Sequence, residues 1–239
     1  MLKVLCFGTL MLTSALFADY RDFAFTYQAR TLPQGETEFE YYIDSQLPDS
    51  GDQSVYNWRQ QFEIETGITD RWSAAIYQSL STNAITFSDG TSEYRTLFDS
   101  VKLQSKYRLT DPGQYFVDAL VYAEYVISTN FNGRNDEFEL KEVGSKDFGK
   151  THLAANLTEE IPIDGDFELA FDAAGGYDLC DWFLAGIQTK GRIIDTFSLS
   201  AGPALTFRSK GIYLTTAILA GLSDTAADMD ARALIGINL

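Results

Sequence analysis

From residue 36 onward the chain alternates with a period of two. Thr37, Phe39, Tyr41 and Ile43 share one face of the first such stretch, and Glu38, Glu40, Tyr42 and Asp44 share the other. That alternation marks a strand with one apolar side. The next stretch, 55–68, sets Tyr56, Trp58, Phe62, Ile64 and Ile68 against Asn57, Arg59, Gln61, Glu63 and Glu65. Further strands are expected over 72–82 and 94–109, where Val101, Leu103 and Tyr107 oppose Lys102, Gln104, Lys106 and Arg108. The clearest alternation is 114–128, with Tyr115, Val117, Ala119, Val121, Ala123, Tyr125 and Ile127 against Asp118, Tyr122 and Glu124. A more charged strand follows at 137–146, then strands at 150–161 and 166–179. The latter has Phe167, Leu169, Phe171 and Tyr177 opposite Glu168, Asp172 and Asp178. Strands at 181–190, 195–207 and 212–222 bring the chain to its last stretch. Pro203 removes one ladder hydrogen bond and suggests a bulge.

That last stretch, 231–239, places Ala233, Ile235, Ile237 and Leu239 on one face, and Arg232, Gly236 and Asn238 on the other, with Leu234 an apolar exception. An unpaired edge of this kind invites aggregation. Pairing with the first strand would remove it and close a barrel whose outer face meets lipid. The count is about twelve strands, and even counts are the rule for single-chain bacterial barrels. Connection lengths also alternate. Thr69-Asp70-Arg71, Asp111-Pro112-Gly113 and the turns at 147–149, 178–181 and 208–211 are short, whereas most others are longer. Short periplasmic turns and longer outer loops are the pattern of a membrane-spanning barrel. The expected fold is therefore all-β, a single antiparallel up-and-down transmembrane barrel over 36–239.

The first residues differ in kind. Lys3 precedes an apolar run ending at Phe17, and Ala18 is followed by frequent charge, so 1–18 reads as a secretory signal peptide. Residues 19–35 read as an N-terminal periplasmic segment, turned into the first strand by Pro33 and Gly35. No other stretch has the ~18 consecutive apolar residues that a spanning helix needs. With 34 acidic against 18 basic residues and a net charge of −16, nucleic acid is not an expected partner. Cys6 falls in the leader, which leaves Cys180 alone and no internal disulfide.

Thr31-Leu32-Pro33-Gln34-Gly35-Glu36 before an acidic-aromatic strand, Gly67-Ile68-Thr69-Asp70-Arg71-Trp72, Lys106-Tyr107-Arg108-Leu109 and the Asp147-Phe148-Gly149 turn together carry a resemblance. The chain resembles a group of uncharacterised bacterial outer-membrane barrels. These are similar in pattern to barrels described as transporters of the meta-pathway for phenol degradation. The resemblance implies an outer-membrane location and solute passage; aromatic or otherwise apolar compounds are the candidate solutes. Outer-membrane barrels usually end in Phe or Trp, whereas this chain ends in Leu239.

Charges of both signs occupy the inward phase. Arg59, Glu63 and Glu65 lie on one strand, Lys102, Lys106 and Arg108 on another, and Asp118 and Glu124 on its neighbour, with Glu168 and Asp172 further along. Charged groups kept from lipid need partners. These residues either fill the lumen with ion pairs or form a constriction that selects ions. Tyr42 and Tyr122 are candidates for a lumen aromatic lining. Trp58, Trp72, Tyr107, Tyr115, Tyr125, Tyr177 and Trp182 suit interfacial girdles. A metal site of the histidine type fails for want of a second histidine, and no cofactor is expected. His152, the chain's single histidine, reads as an interface residue.

Three functions follow as expectations: passage of small solutes, a non-conducting barrel with a structural or surface-binding role, and hydrolysis of outer-membrane lipid. Expected partners are outer-membrane lipid and lipopolysaccharide, and the barrel-insertion machinery through the C-terminal strand. A soluble sandwich is the alternative fold, but twelve one-sided strands would need a second layer to hide their apolar faces.

Overall fold

A computed structural model describes residues 21–48, 57–86, 91–129, 135–194 and 196–239. The leader expected over 1–18 lies outside these residues. Twelve strands are present among them: β1 (Thr37–Leu47), β2 (Asn57–Thr69), β3 (Trp72–Thr86), β4 (Ser92–Arg108), β5 (Asp118–Ser128), β6 (Glu137–Phe148), β7 (Thr151–Pro162), β8 (Glu168–Cys180), β9 (Phe183–Arg192), β10 (Ser198–Ser209), β11 (Ile212–Gly221) and β12 (Met229–Asn238). Each is antiparallel to its chain neighbours, and β1 pairs with β12, so the sheet closes into a barrel. At that seam Glu38 faces Asn238 and Leu47 faces Met229, which leaves no open edge.

The alternation decides the faces. Ile64, Ile76, Leu103, Ile187 and Ile218 stand exposed on the outside, with Ile187 67% accessible in the middle of β9. Their inward neighbours, such as Glu63, Glu65, Gln104 and Gln188, are buried. A band of large apolar side chains around a closed barrel is a lipid-facing surface. Trp72, Tyr107, Tyr177 and Trp182 sit exposed near the short-turn end, and Trp58 at the other, as a girdle requires. Leu234 has a partner set inside: it packs with Tyr42, Ala75, Tyr77 and Tyr213.

Backbone chemistry fixes the tight turns. Lys210 and Gly211 take φ of 41° and 82°, the paired positive values of a type I′ hairpin between β10 and β11. Gly149, at φ 63°, holds the first central position of the β6–β7 turn. Two local expectations are corrected. Residues 114–117 leave the ladder, and β5 begins at Asp118, because Asp118 Oδ1 accepts from the Gly113 amide at 2.7 Å and Lys146 Nζ donates to the Tyr115 carbonyl at 2.7 Å. Pro203 makes no bulge: pairing with β11 lapses over Gly202 and Pro203 and resumes in the same register at Ala204. The register shifts lie elsewhere, at Gly67/Thr69, Ser79/Leu80 and Asp178/Cys180.

The larger correction concerns the segment expected in the periplasm. Over 21–34 the chain folds back into the barrel and plugs it, with Asp22, Phe23, Ala24, Thr26, Ala29 and Leu32 all buried. The physical reason is polar satisfaction. A segment without strand partners must find other acceptors and donors for its backbone, and the inward side chains of the wall supply them. At the mouth, the Gly67 amide donates to the Glu36 carbonyl at 2.9 Å, and a Cβ on Gly67 would lie 2.0 Å from the Pro33 oxygen. Glycine is thus required where the segment crosses the rim.

Candidate functional site

The plug is an arch. Its feet are clipped by Asp22, which accepts from Arg30 at 2.9 Å and from Gln28 Nε2 at 2.7 Å. Its apex, Phe25 to Tyr27, is held by side chains standing in for a ladder. Gln188 Oε1 accepts from the Phe25 amide at 2.8 Å. Asn156 accepts from the Tyr27 amide at 2.7 Å and donates to its carbonyl at 3.0 Å. Ser145 Oγ accepts from the Ala29 amide at 2.9 Å, while Thr206 and Thr215 donate to the Asp22 and Arg21 carbonyls, each at 2.7 Å. Phe23 packs on Ala154 and Leu184. A Cβ at Gly176 would stand 3.0 Å from that ring and 2.8 Å from Leu184. The absence of a side chain there makes room for the plug.

Beside the arch lies a layer of acids and tyrosines. Tyr42 hydroxyl donates to Glu63 at 2.6 Å and also contacts Glu40, while Tyr213 reaches Glu38 at 2.8 Å and Glu40. Arg21 donates to the Tyr42 hydroxyl at 2.7 Å and lies 3.7 Å from Glu40. Lys106 pairs with Glu65 at 2.6 Å, and both are buried. Such pairs offset the cost of removing charge from water, and losing one partner exposes that cost in full.

The remaining inward charges fall as follows. Lys102 pairs with Glu124 at 2.8 Å, as facing walls on β4 and β5 suggest. Arg59 lies 3.5 Å from Asp99. Asp118 is 3.6 Å from Lys146 and Arg108 is 3.9 Å from Asp111, both at the short-turn end, away from the layer above. Glu168 meets Arg192 at 3.0 Å on the opposite rim. Asp172 makes no contact ion pair or hydrogen bond among the described residues. Tyr42 and Tyr122 both face the lumen, with Tyr122 donating to Glu124 at 2.6 Å.

Above the arch are two cavities. The outer one, about 600 Å³, opens among the long loops and is lined by Gln46, Glu160, Lys190, Arg192, Ser198 and Asp230 among others. The inner one, about 180 Å³, is floored by Phe25 and Tyr27 of the plug and walled by Tyr42, Tyr77 and Tyr122. Each of these five rings carries a cation of the protein over its face. Arg21 lies 4.1 Å from the Tyr27 centroid, and Lys141 stands 4.7 Å from Tyr27 and 4.8 Å from Tyr122. Arg232 covers Phe25 at 4.8 Å and Tyr42 at 5.7 Å, and Lys102 is 6.0 Å from Tyr77. Cation–ring attraction of this kind is worth most where water is excluded.

His152 is corrected from an interface position to a buried one. Its Nδ1 lies 2.8 Å from Asp147 and 3.4 Å from Asp22, and its Nε2 lies 2.9 Å from Asp178. Arg208 bridges Asp22 and Asp178. Asp22, Asp147 and His152 bring three potential ligand atoms within 4.8 Å. Arg30 and Arg208 already bind Asp22, so guanidinium groups supply the positive charge that a metal would bring. Arg21, Asp22, Tyr27, Glu139, Lys141 and Arg232 escaped the sequence reading as site residues. The plug members carry no periodic signal, and a signal for the others lay only in sharing the inward phase.

No protein-family model matches the sequence, and no curated protein matches it. Solved structures match the fold. A KdgM porin aligns over 84% of this chain and 99% of its own, with 6% identity and a TM-score of 0.61. The COG4313 outer membrane channel from Pseudomonas putida F1 aligns over 88% and 98%, with 12% identity and a TM-score of 0.60. The translocator domain of the autotransporter NalP from Neisseria meningitidis aligns over 87% and 90%, at 12% identity and a TM-score of 0.51. At such identities the likeness is one of architecture, and that architecture is the outer-membrane β-barrel.

Proposed function

We propose that this protein is an outer-membrane channel for small polar solutes, which enter the lumen from the long-loop side above a resident N-terminal plug. The observation that carries this reading is the outer cavity of about 600 Å³, open at one end of the barrel and lined mostly by polar and charged side chains. It accords with the likeness in fold to a KdgM porin and to the COG4313 outer membrane channel. Five ring faces already covered by the protein's own cations favour polar over apolar cargo, against the phenol-type solutes that the resemblance implies. An enzymatic role has little support, since His152 is held by the carboxylates of Asp22, Asp147 and Asp178 rather than presented to lipid. In this reading the leader is removed, acyl chains cover the apolar band, and lipopolysaccharide surrounds the long-loop rim. The insertion machinery engages β12.

The test is single-channel conductance of the folded protein in a planar bilayer, beside a variant combining Asp22→Ala and Phe23→Ala. Small or infrequent openings from the parent and larger, sustained ones from the variant are expected. Silence from both, with insertion demonstrated, overturns the channel and supports a second reading, a non-conducting structural barrel. The number of wall side chains that hold the arch favours that second reading.

A further inference from the structure

The outer and inner cavities share three lining residues: Glu139 and Lys141 on β6, and Asp172 on β8. These three form the neck between them. Lys141 is committed, with its ammonium 3.0 Å from Glu139 and wedged between Tyr27 and Tyr122. Glu139 is thereby neutralised. Asp172 is half-buried, and among the described residues it is the neck's one charged group without a contact partner. The cations whose field reaches it besides Lys141 are Lys190 and Arg232. Both are engaged, Lys190 with Asp230 at 3.1 Å and Arg232 with Asp44. A second unpaired group lies in the same wall. Thr158, across the ladder from Lys141 and 3% exposed, lines the outer cavity with a hydroxyl that has no hydrogen-bond partner.

A buried hydroxyl left without a hydrogen-bond partner is costly in a folded protein unless something else meets it, and a half-buried carboxylate with no contact partner is free to meet a solute. Both face the route from vestibule to inner cavity. The vestibule lining also carries five acidic against three basic side chains, so the field at the approach to the neck favours positive charge, while the inner lining carries three of each sign. We infer that Asp172 sets the charge preference of the neck, so that small cationic solutes pass from the outer to the inner cavity in preference to anions. This rests on the outer cavity being the mouth of the lumen, as proposed above, but not on solute crossing the whole barrel.

The two ideas separate in one experiment. Gln61 lines the inner cavity, beyond the neck. In a Cys6→Ser, Cys180→Ser background, Gln61→Cys is exposed to a cationic and an anionic methanethiosulfonate of similar size, with the folded protein in vesicles. The ratio of the two modification rates is read with Asp172 intact, with Asp172→Asn and with Asp224→Asn, a vestibule acid outside the neck. The cationic reagent should react faster, and Asp172→Asn should lower the ratio roughly 25-fold, because one unit charge a few ångströms away in watery surroundings acts about fivefold on each reagent and in opposite directions. Asp224→Asn should leave it nearly unchanged. An unchanged ratio in Asp172→Asn, an equal fall in Asp224→Asn, or no modification of residue 61 by either reagent overturns the inference. Because modification requires only access to the inner cavity, none of these outcomes depends on whether current crosses the bilayer.

Discussion

Lys106 and Glu65 meet at 2.6 Å inside the barrel, and each is nearly inaccessible to water. Removing only the cation leaves a desolvated carboxylate, so Lys106→Met should destabilise the barrel by about 3–5 kcal/mol. The double variant Lys106→Met with Glu65→Gln should recover much of that loss, and urea unfolding in detergent micelles followed by heat-modifiable gel migration compares the two. Such pairs were half legible beforehand. The period of two put Lys106 and Glu65 on the inward phase, but the pair reaches over the intervening strand β3 at the small residues Ser73 and Ala75, and no local pattern encodes which side chains two strands apart will meet. Lys102 and Glu124 were easier, since β4 and β5 are consecutive and their facing side chains lie on adjacent strands. His152 was missed because its partners come from β6, β8 and the plug together.

At the scale of elements, the strands were the legible part and the plug the illegible one. Alternation specifies a strand wherever one face meets lipid and the other a polar interior, and eleven of the twelve strands lie close to the stretches read from it. β5 starts late because Asp118 turns its carboxylate to the preceding loop, a capping choice that competes with alternation. Residues 21–34 carry no period, because an arch held by scattered side chains imposes none. Its hold can be measured. Asn156→Ala removes both an acceptor and a donor from Tyr27, and leaving buried backbone groups unpaired costs about 1–3 kcal/mol for each. Limited proteolysis should then cut within 21–34 many times faster than in the parent, while circular dichroism of the barrel stays the same. Resistance equal to the parent's would mean that the other anchors hold the arch without Asn156.

For the whole molecule, the decisive partition is between an apolar outside and a charged inside. Ile187 stands 67% exposed at the middle of β9, and its outward position there puts it in the hydrocarbon of a bilayer. Ile187→Arg should therefore cost about 2–4 kcal/mol of folding stability in lipid vesicles, whereas Ile163→Arg, beyond the end of β7, should cost little. Equal effects at the two positions would argue against a bilayer around the strands. The plug also bears on how such a molecule is made. It leads directly into β1, yet its anchors include Gln188, Thr206, Thr215 and Arg232, between 162 and 208 residues away along the chain. Those partners exist only once the C-terminal half has been laid down, and β12 must still find β1. An arch that seats before the seam closes, gripping β9 to β12 from within, would draw the two ends of the sheet together and shorten the search that the final seam requires. Such an arch would serve the folded lumen as a stopper and the folding chain as a drawstring.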